Sequence, residues 1–259
     1  MDILQTIAQR TCERVAEETK VFSRAEAKRA ALSLPKGDFP FERSLQGEEL
    51  SFLCEVKRAS PSKGLIAKEF PYLQIASEYE CAGASALSVL TEPVWFLGKD
   101  EYLAQISSAV SLPCLRKDFT VDEYMIYRAK SLGAKAILLI CSLLEEGKLR
   151  DFFGIAENLG LSCLIEAHDE EEIERALKIG GRVIGVNNRN LKNFTVDFSN
   201  AERLRSLVPK DRLFVAESGV KSIEDVRALK AAKANAVLVG EALMRSPDRG
   251  KLLAEWRRV

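Results

Sequence analysis

A chain of 259 residues can bury a large core, and α/β barrels routinely use this length as one domain. Lys plus Arg and Asp plus Glu number 38 each, so the net charge is zero and no basic field exists to attract nucleic acid or an anionic membrane surface. The opening stretch has no apolar core like that of a signal peptide and no later apolar run reaches spanning length, so a soluble, cytoplasmic protein with no membrane partner is expected.

Residues 3–18 place Ile3, Leu4, Ile7, Ala8 and Val15 at helical spacing with charges between them, which predicts an amphipathic helix. A second helix is expected over 23–32, ended by Pro35 and Gly37. These first residues, to about 45, read as a helical extension that covers the rest of the chain, because the alternation of strand and helix begins only at Ser51.

From there an apolar run, a polar loop and an amphipathic helix recur eight times. Strands are expected at 51–56, 85–90, 112–116, 135–140, 162–167, 182–187, 212–216 and 235–239. Helices are expected at 72–82, 121–132, 145–159, 170–179, 199–207, 222–231 and 247–256. Eight such units favour a closed (β/α)8 TIM barrel over 51–259, forming a single domain with the extension, and no GxGxxG follows the first strand to suggest a dinucleotide fold.

In a barrel of this kind the chemistry sits where strands end, and the unexpected polar residues fall there. The first strand delivers Glu55 and Lys57, which share a face, into the donor-rich loop of Ser60 to Gly64. That loop is expected to act as a lid over residues 60–66. The third strand ends in Arg116, Lys117, Asp118 and Phe119, and alternation sends Arg116 and Lys117 to opposite faces. Further strand ends carry Glu166, then Asn187, Asn188 and Arg189, then Glu217, Ser218 and Gly219. Gly219 and, after the last strand, Gly240 let backbone N–H groups approach an anion, and barrels commonly bind phosphate at these two loops.

Six cysteines without CxxC spacing are expected to be reduced core residues. His168 is the only histidine, so a multi-histidine metal site is excluded, and it reads as a residue near a helix start rather than a chemical group. These features alone suit a phosphosugar isomerase, a flavin-phosphate barrel or a barrel that only binds a phosphorylated ligand.

The strings EVKRASPSKG (55–64), LRKDF (115–119), LIEAHD (164–169), GVNNRNL (185–191), VAESG (215–219) and VLVGEALM (237–244), in this order and spacing, narrow the choice. Together they resemble indole-3-glycerol phosphate synthase of tryptophan biosynthesis over almost the whole chain. The resemblance implies a carboxy-lyase that closes 1-(2-carboxyphenylamino)-1-deoxyribulose 5-phosphate to an indole, with loss of carbon dioxide and water. It implies Lys117 as general acid, Lys57 as a cation facing substrate, and Glu55, Glu166, Asn187 and Glu217 as active-site polar groups. Ser60, Phe119, Arg189, Ser218, Gly219, Gly240 and Glu241 are implied around the substrate and its phosphate. Glu241 departs from relatives that carry serine after the glycine, which leaves the phosphate to backbone N–H groups. No cofactor or metal is expected, the partner is a phosphorylated small molecule, and a monomer is expected.

Overall fold

The computed structural model describes residues 3–189 and 198–259; Asn190 and Leu191, the last two positions of the 185–191 motif, lie outside the described residues. Eight parallel strands form the barrel: β1 (Ser51–Val56), β2 (Ala86–Leu90), β3 (Cys114–Lys117), β4 (Ala136–Ile140), β5 (Ser162–Ala167), β6 (Val183–Asn187), β7 (Leu213–Glu217) and β8 (Ala236–Val239). Each pairs with its neighbours in sequence, and β8 pairs with β1 to close the ring.

These strands are apolar almost throughout because both of their faces are buried. Leu53, Ala86, Leu115, Leu138, Leu164, Val183, Val215 and Leu238 point inward and fill the barrel. Phe52, Val89, Ile137, Ile165, Ile184 and Phe214 point outward and pack under the helices. The same period of two then carries the inward row to the top of five of the strands, to Glu55, Lys117, Glu166, Asn187 and Glu217.

The helices are α1 (Ile3–Val21), α2 (Arg24–Leu32), α3 (Pro40–Ser44), α4 (Tyr72–Cys81), α5 (Asp100–Ala109), α6 (Glu123–Ser131), α7 (Glu146–Leu159), α8 (Glu170–Lys178), α9 (Phe198–Arg205), α10 (Ile223–Ala231), α11 (Glu241–Arg245) and α12 (Arg249–Trp256). Helix starts fall one or two residues later than expected where a side chain caps. Asp122 accepts from Tyr124 N–H ahead of α6, and Asp248 from Lys251 N–H ahead of α12. Strand β3 begins at Cys114 rather than 112 because Pro113 has no N–H to give the ladder. Helix α5 fills the gap between β2 and β3 as the eightfold alternation requires, whereas α3, α11 and a two-residue hairpin pairing Ala59–Ser60 with Gly64–Leu65 were not anticipated.

The N-terminal extension does more than cover the barrel. Helix α1 crosses the top, where Arg14 reaches Asp118 just past β3 at 2.9 Å. Helix α2 packs along α6, with Arg24 bonded to Asp122. Helix α3 then drives Phe41 and Leu45, both fully buried, into the bottom of the inner core. The cysteines also correct an expectation: all six are free, but Cys12 and Cys81 are exposed rather than in the core. No helix among the described residues is long and apolar enough to cross a membrane.

Candidate active site

A cavity of about 440 Å³ opens at the C-terminal mouth of the barrel, and all thirteen site residues expected from the sequence line it. Its floor is charged. Glu55 and Lys57 form an ion pair with each other. That pair lies against the α-carbon of Gly240, where any β-carbon would collide with the Glu55 carboxylate, so the glycine is required by its neighbour. Gly185 makes the same allowance on β6, and the Glu217 carboxyl occupies the space a side chain would have taken.

Lys117 stands at the centre. Its Nζ is 3.6 Å from Glu166 Oε2 and 3.7 Å from Glu217 Oε2, in ionic contact with both but too far for a tight hydrogen bond to either. Burial works against its charge, yet Glu217, Glu166 and Glu55 outweigh burial and raise its pKa, so it is an ammonium throughout the neutral range. The two glutamates differ. Burial would raise Glu166, but Lys117, His168 and Asn187 together lower it and keep it a carboxylate. Glu217 is raised, first by burial and then by the negative charge of Glu166.

Asn187 Nδ2 donates to Glu166 Oε1 at 3.1 Å, and its Oδ1 accepts from the Arg189 backbone N–H at 3.0 Å. The amide thereby ties the end of β6 to the β5 carboxylate. Arg116 turns outward as alternation requires. It bonds Asp100 at 2.8 Å and the Met125 carbonyl at 2.8 Å, away from the cavity. Asp118, also buried, accepts from Arg14, from Thr91 Oγ1 at 2.6 Å and from the Phe119 N–H. This network braces the chain on both sides of Lys117 and joins it to α1.

One wall of the cavity is apolar. Phe119 and Phe96 have ring centroids 6.2 Å apart, and Leu90 with Ile3, Leu4 and Ile7 of α1 extends the surface. The α1 residues were legible only as the buried stripe of a helix, since nothing in a local pattern says which pocket a stripe will face.

The turns after β7 and β8 form another part of the lining. Ser218 and Gly219 both take positive φ, +66° and +94°, turning the chain sharply after β7. A serine there is strained, and such strain gathers at functional turns. Helix α10 closes its own start with a Ser222–Asp225 capping box, whereas Gly240 gives α11 no side-chain cap. Arg189, Lys57 and Lys221 stand around this side. Glu241 lines it too, with its carboxylate 3.5 Å from Lys63 Nζ and 3.2 Å from Arg245 Nε. His168, expected only to precede a helix, brings Nε2 to within 3.2 Å of Glu166 Oε1.

A family model described as indole-3-glycerol phosphate synthase matches residues 4–256. The chain is 53% identical over 256 residues to indole-3-glycerol phosphate synthase of Ruminiclostridium cellulolyticum, covering 98% of each chain. It is 51% identical over 254 residues to the protein of that name from Endomicrobium trichonymphae, again covering 98% of each. Among solved structures, thiamine phosphate pyrophosphorylase from Pyrococcus furiosus superposes with a TM-score of 0.61 over 84% of this chain and 96% of that one. At 15% identity, that likeness concerns the fold alone.

Proposed function

This chain belongs to the indole-3-glycerol phosphate synthase family, and on that basis we propose how its residues divide the work of ring closure, decarboxylation and dehydration. The enzyme is a carboxy-lyase of tryptophan biosynthesis acting on a phosphorylated small molecule. In the first step an aromatic carbon bearing the carboxylate attacks the ribulose ketone, and negative charge develops on the carbonyl oxygen. Lys117 is the general acid for that oxygen. The observation that carries this assignment is its place as a buried ammonium between Glu166 and Glu217, neither of which holds it tightly, leaving its protons available to a substrate atom.

Carbon dioxide then leaves, its bonding electrons taken up by the cationic ring formed in the first step. Dehydration removes a proton from ring carbon 2 and hydroxide from carbon 3. It needs a base and an acid, and the carboxylates within reach are Glu55 beside Lys57 and Glu166 and Glu217 beside Lys117. The aminobenzoate ring occupies the apolar wall of Phe96, Phe119 and Ile7, and the phosphate occupies the opposite side around Arg189, Ser218, Gly219 and Gly240. Lys57 faces the substrate as a second cation, Ser60 covers it from the first loop, and Glu241 restrains Lys63 and Arg245 at the rim. Every group invoked lies on one chain, which supports a monomer as the working unit. The contacts of α1 with the cavity support treating extension and barrel as a single domain.

The direct test mixes purified protein with 1-(2-carboxyphenylamino)-1-deoxyribulose 5-phosphate and follows indole fluorescence. Lys117→Met should abolish most of the signal without abolishing substrate binding. Inorganic phosphate should compete with substrate, and inhibition that is purely noncompetitive would argue against a preformed phosphate cradle.

A further inference from the structure

His168 has a place in the site that ring closure does not call on. Its ring lies between two carboxylates: Nδ1 is 3.1 Å from Glu172 Oε2, and Nε2 is 3.2 Å from Glu166 Oε1. Glu172 Oε2 also accepts the His168 backbone N–H at 2.8 Å, and Asp169 caps α8 by accepting the Glu172 N–H at 2.9 Å. The ring is therefore held from the start of α8 and aimed at the end of β5. Nδ1 is hydrogen-bonded to Glu172 and Nε2 is in ionic contact with Glu166, so two carboxylates face the ring and favour the doubly protonated imidazolium.

Burial opposes the charged ring, while the two carboxylates favour it. Cys141, packed against Glu172 from the turn after β4, is a neutral thiol whose pKa burial pushes up to about 12. Arg175, the nearby cation on α8, is turned away onto the carbonyls of Cys141 and Leu144. Lys117 and Glu217 lie on the far side of Glu166. Burial lowers the His168 pKa, but Glu166 and Glu172 prevail and raise it to about 10.

The consequence falls on the two glutamates beside Lys117. Glu166 accepts a hydrogen bond from Asn187 at Oε1 and is in ionic contact with His168 at Oε1 and with Lys117 at Oε2. Glu217 shares only Lys117, and its buried Oε1 has no hydrogen-bond partner among the described residues. A buried carboxylate oxygen without a partner is costly, whereas a carboxylic acid there carries no charge to desolvate.

We propose that His168 is a positioning residue for the dehydration: clamped as an imidazolium by Glu172, it holds Glu166 as the carboxylate and leaves the proton of this cluster on Glu217. The proposal rests on the reaction assigned above. Glu166 is then the base that takes the proton from ring carbon 2, whose C–H electrons form the new double bond. Glu217 is the acid that gives its proton to the departing hydroxyl, which leaves from carbon 3 as water with the electron pair of the C–O bond. The glutamates end with their protonation exchanged, and exchange with solvent resets them.

The test uses the fact that His168 is the only histidine, so a tag-free chain shows one imidazole in a long-range ¹H–¹⁵N spectrum without assignment. It should remain doubly protonated from pH 5 to 8, and titration near the free value of about 6.5 would overturn the proposal. In His168→Gln, the acid limb of the kcat/KM profile should move up by about one pH unit, with KM for substrate nearly unchanged on the plateau. A profile that falls uniformly without moving would mean a structural role only. Should His168→Gln fail to fold, Glu172→Gln keeps the ring but removes one clamp. It should lower the imidazole pKa and move the acid limb the same way by less, and no change in either would overturn the proposal. The imidazole titration needs no turnover, so it can fail while the assignment of the reaction, tested through Lys117→Met, stands.

Discussion

At each end of this barrel one cation lies between two glutamates, and the comparison separates a structural cluster from a chemical one. At the bottom, Arg182 just ahead of β6 bonds Glu42 at 2.7 and 2.9 Å and Glu157 at 2.6 and 2.8 Å. Its guanidinium also stacks on Phe39, 4.7 Å from the ring centroid. Every donor it directs at them is used, and the planar fork fits two carboxylates at once. At the top, Lys117 meets Glu166 and Glu217 at 3.6 and 3.7 Å, and Glu217 keeps an oxygen without a partner among the described residues. Equal composition yields a locked joint in one place and available charge in the other. The difference is whether the hydrogen-bonding capacity is spent inside the protein.

The widest separation of the two clusters should come from removing their cations. Lys117→Met is expected to lose ~10²- to 10⁴-fold in kcat, with a smaller change in KM. Arg116→Met sharpens the point. On sequence alone it is a mild neighbour substitution, but the structure buries Arg116 against Asp100, Thr91 and the Met125 carbonyl. It should lower the melting temperature while the folded fraction keeps a near-normal kcat. A Lys117→Met enzyme with near-normal turnover would falsify the assignment of the acid.

Arg182→Met is the reverse case. Stranding Glu42 and Glu157 should cost ~2 to 4 kcal/mol of stability by denaturant unfolding, moderated because the site is part-exposed, with kcat of the folded enzyme unchanged. A substantial loss of kcat without loss of stability would erase the distinction between the two ends.

Glu217→Gln should go the other way, losing activity and gaining stability. Its folded pKa is raised, so between the unfolded value near 4.5 and the folded value the unfolded chain releases a proton that the fold retains. Stability from this group is therefore present at low pH and lost as pH rises. The Gln variant should match the parent near pH 4 and exceed it by ~1 to 2 kcal/mol at pH 8. A gain that is equal at both pH values would show that ionisation is not its source.

The smallest effect lies away from both clusters. Gly83, Gly133 and Gly180 each take positive φ just after a helix, but the equivalent position after α10 is Lys233, at φ +61°. Lys233→Gly should relieve that strain and stabilise the chain by ~0.5 to 1 kcal/mol in thermal unfolding without touching kcat.

Much of this molecule follows from local pattern. Apolar runs the length of a strand, alternating with amphipathic helices eight times, leave little choice but a barrel, and Glu55, Lys117, Glu166, Asn187 and Glu217 declare themselves by ending apolar strands with polar groups. Alternation alone also put Arg116 and Lys117 on opposite faces, because the strand period holds whatever surrounds it. What the chain could not show by itself is distance across the barrel. His168 follows Glu166 by two residues, but the division between Glu166 and Glu217 also depends on which one Asn187 reaches, and those three residues, far apart in sequence, meet only through the pairing of β5, β6 and β7. The role of α1 escaped for the same reason: Ile7 and Arg14 are ordinary helix positions until the helix is laid over the mouth beside Phe119 and Asp118. Residue type and period are local, so they are written along the chain, whereas a pKa, an ion pair or a pocket wall is a sum over neighbours that only folding brings together.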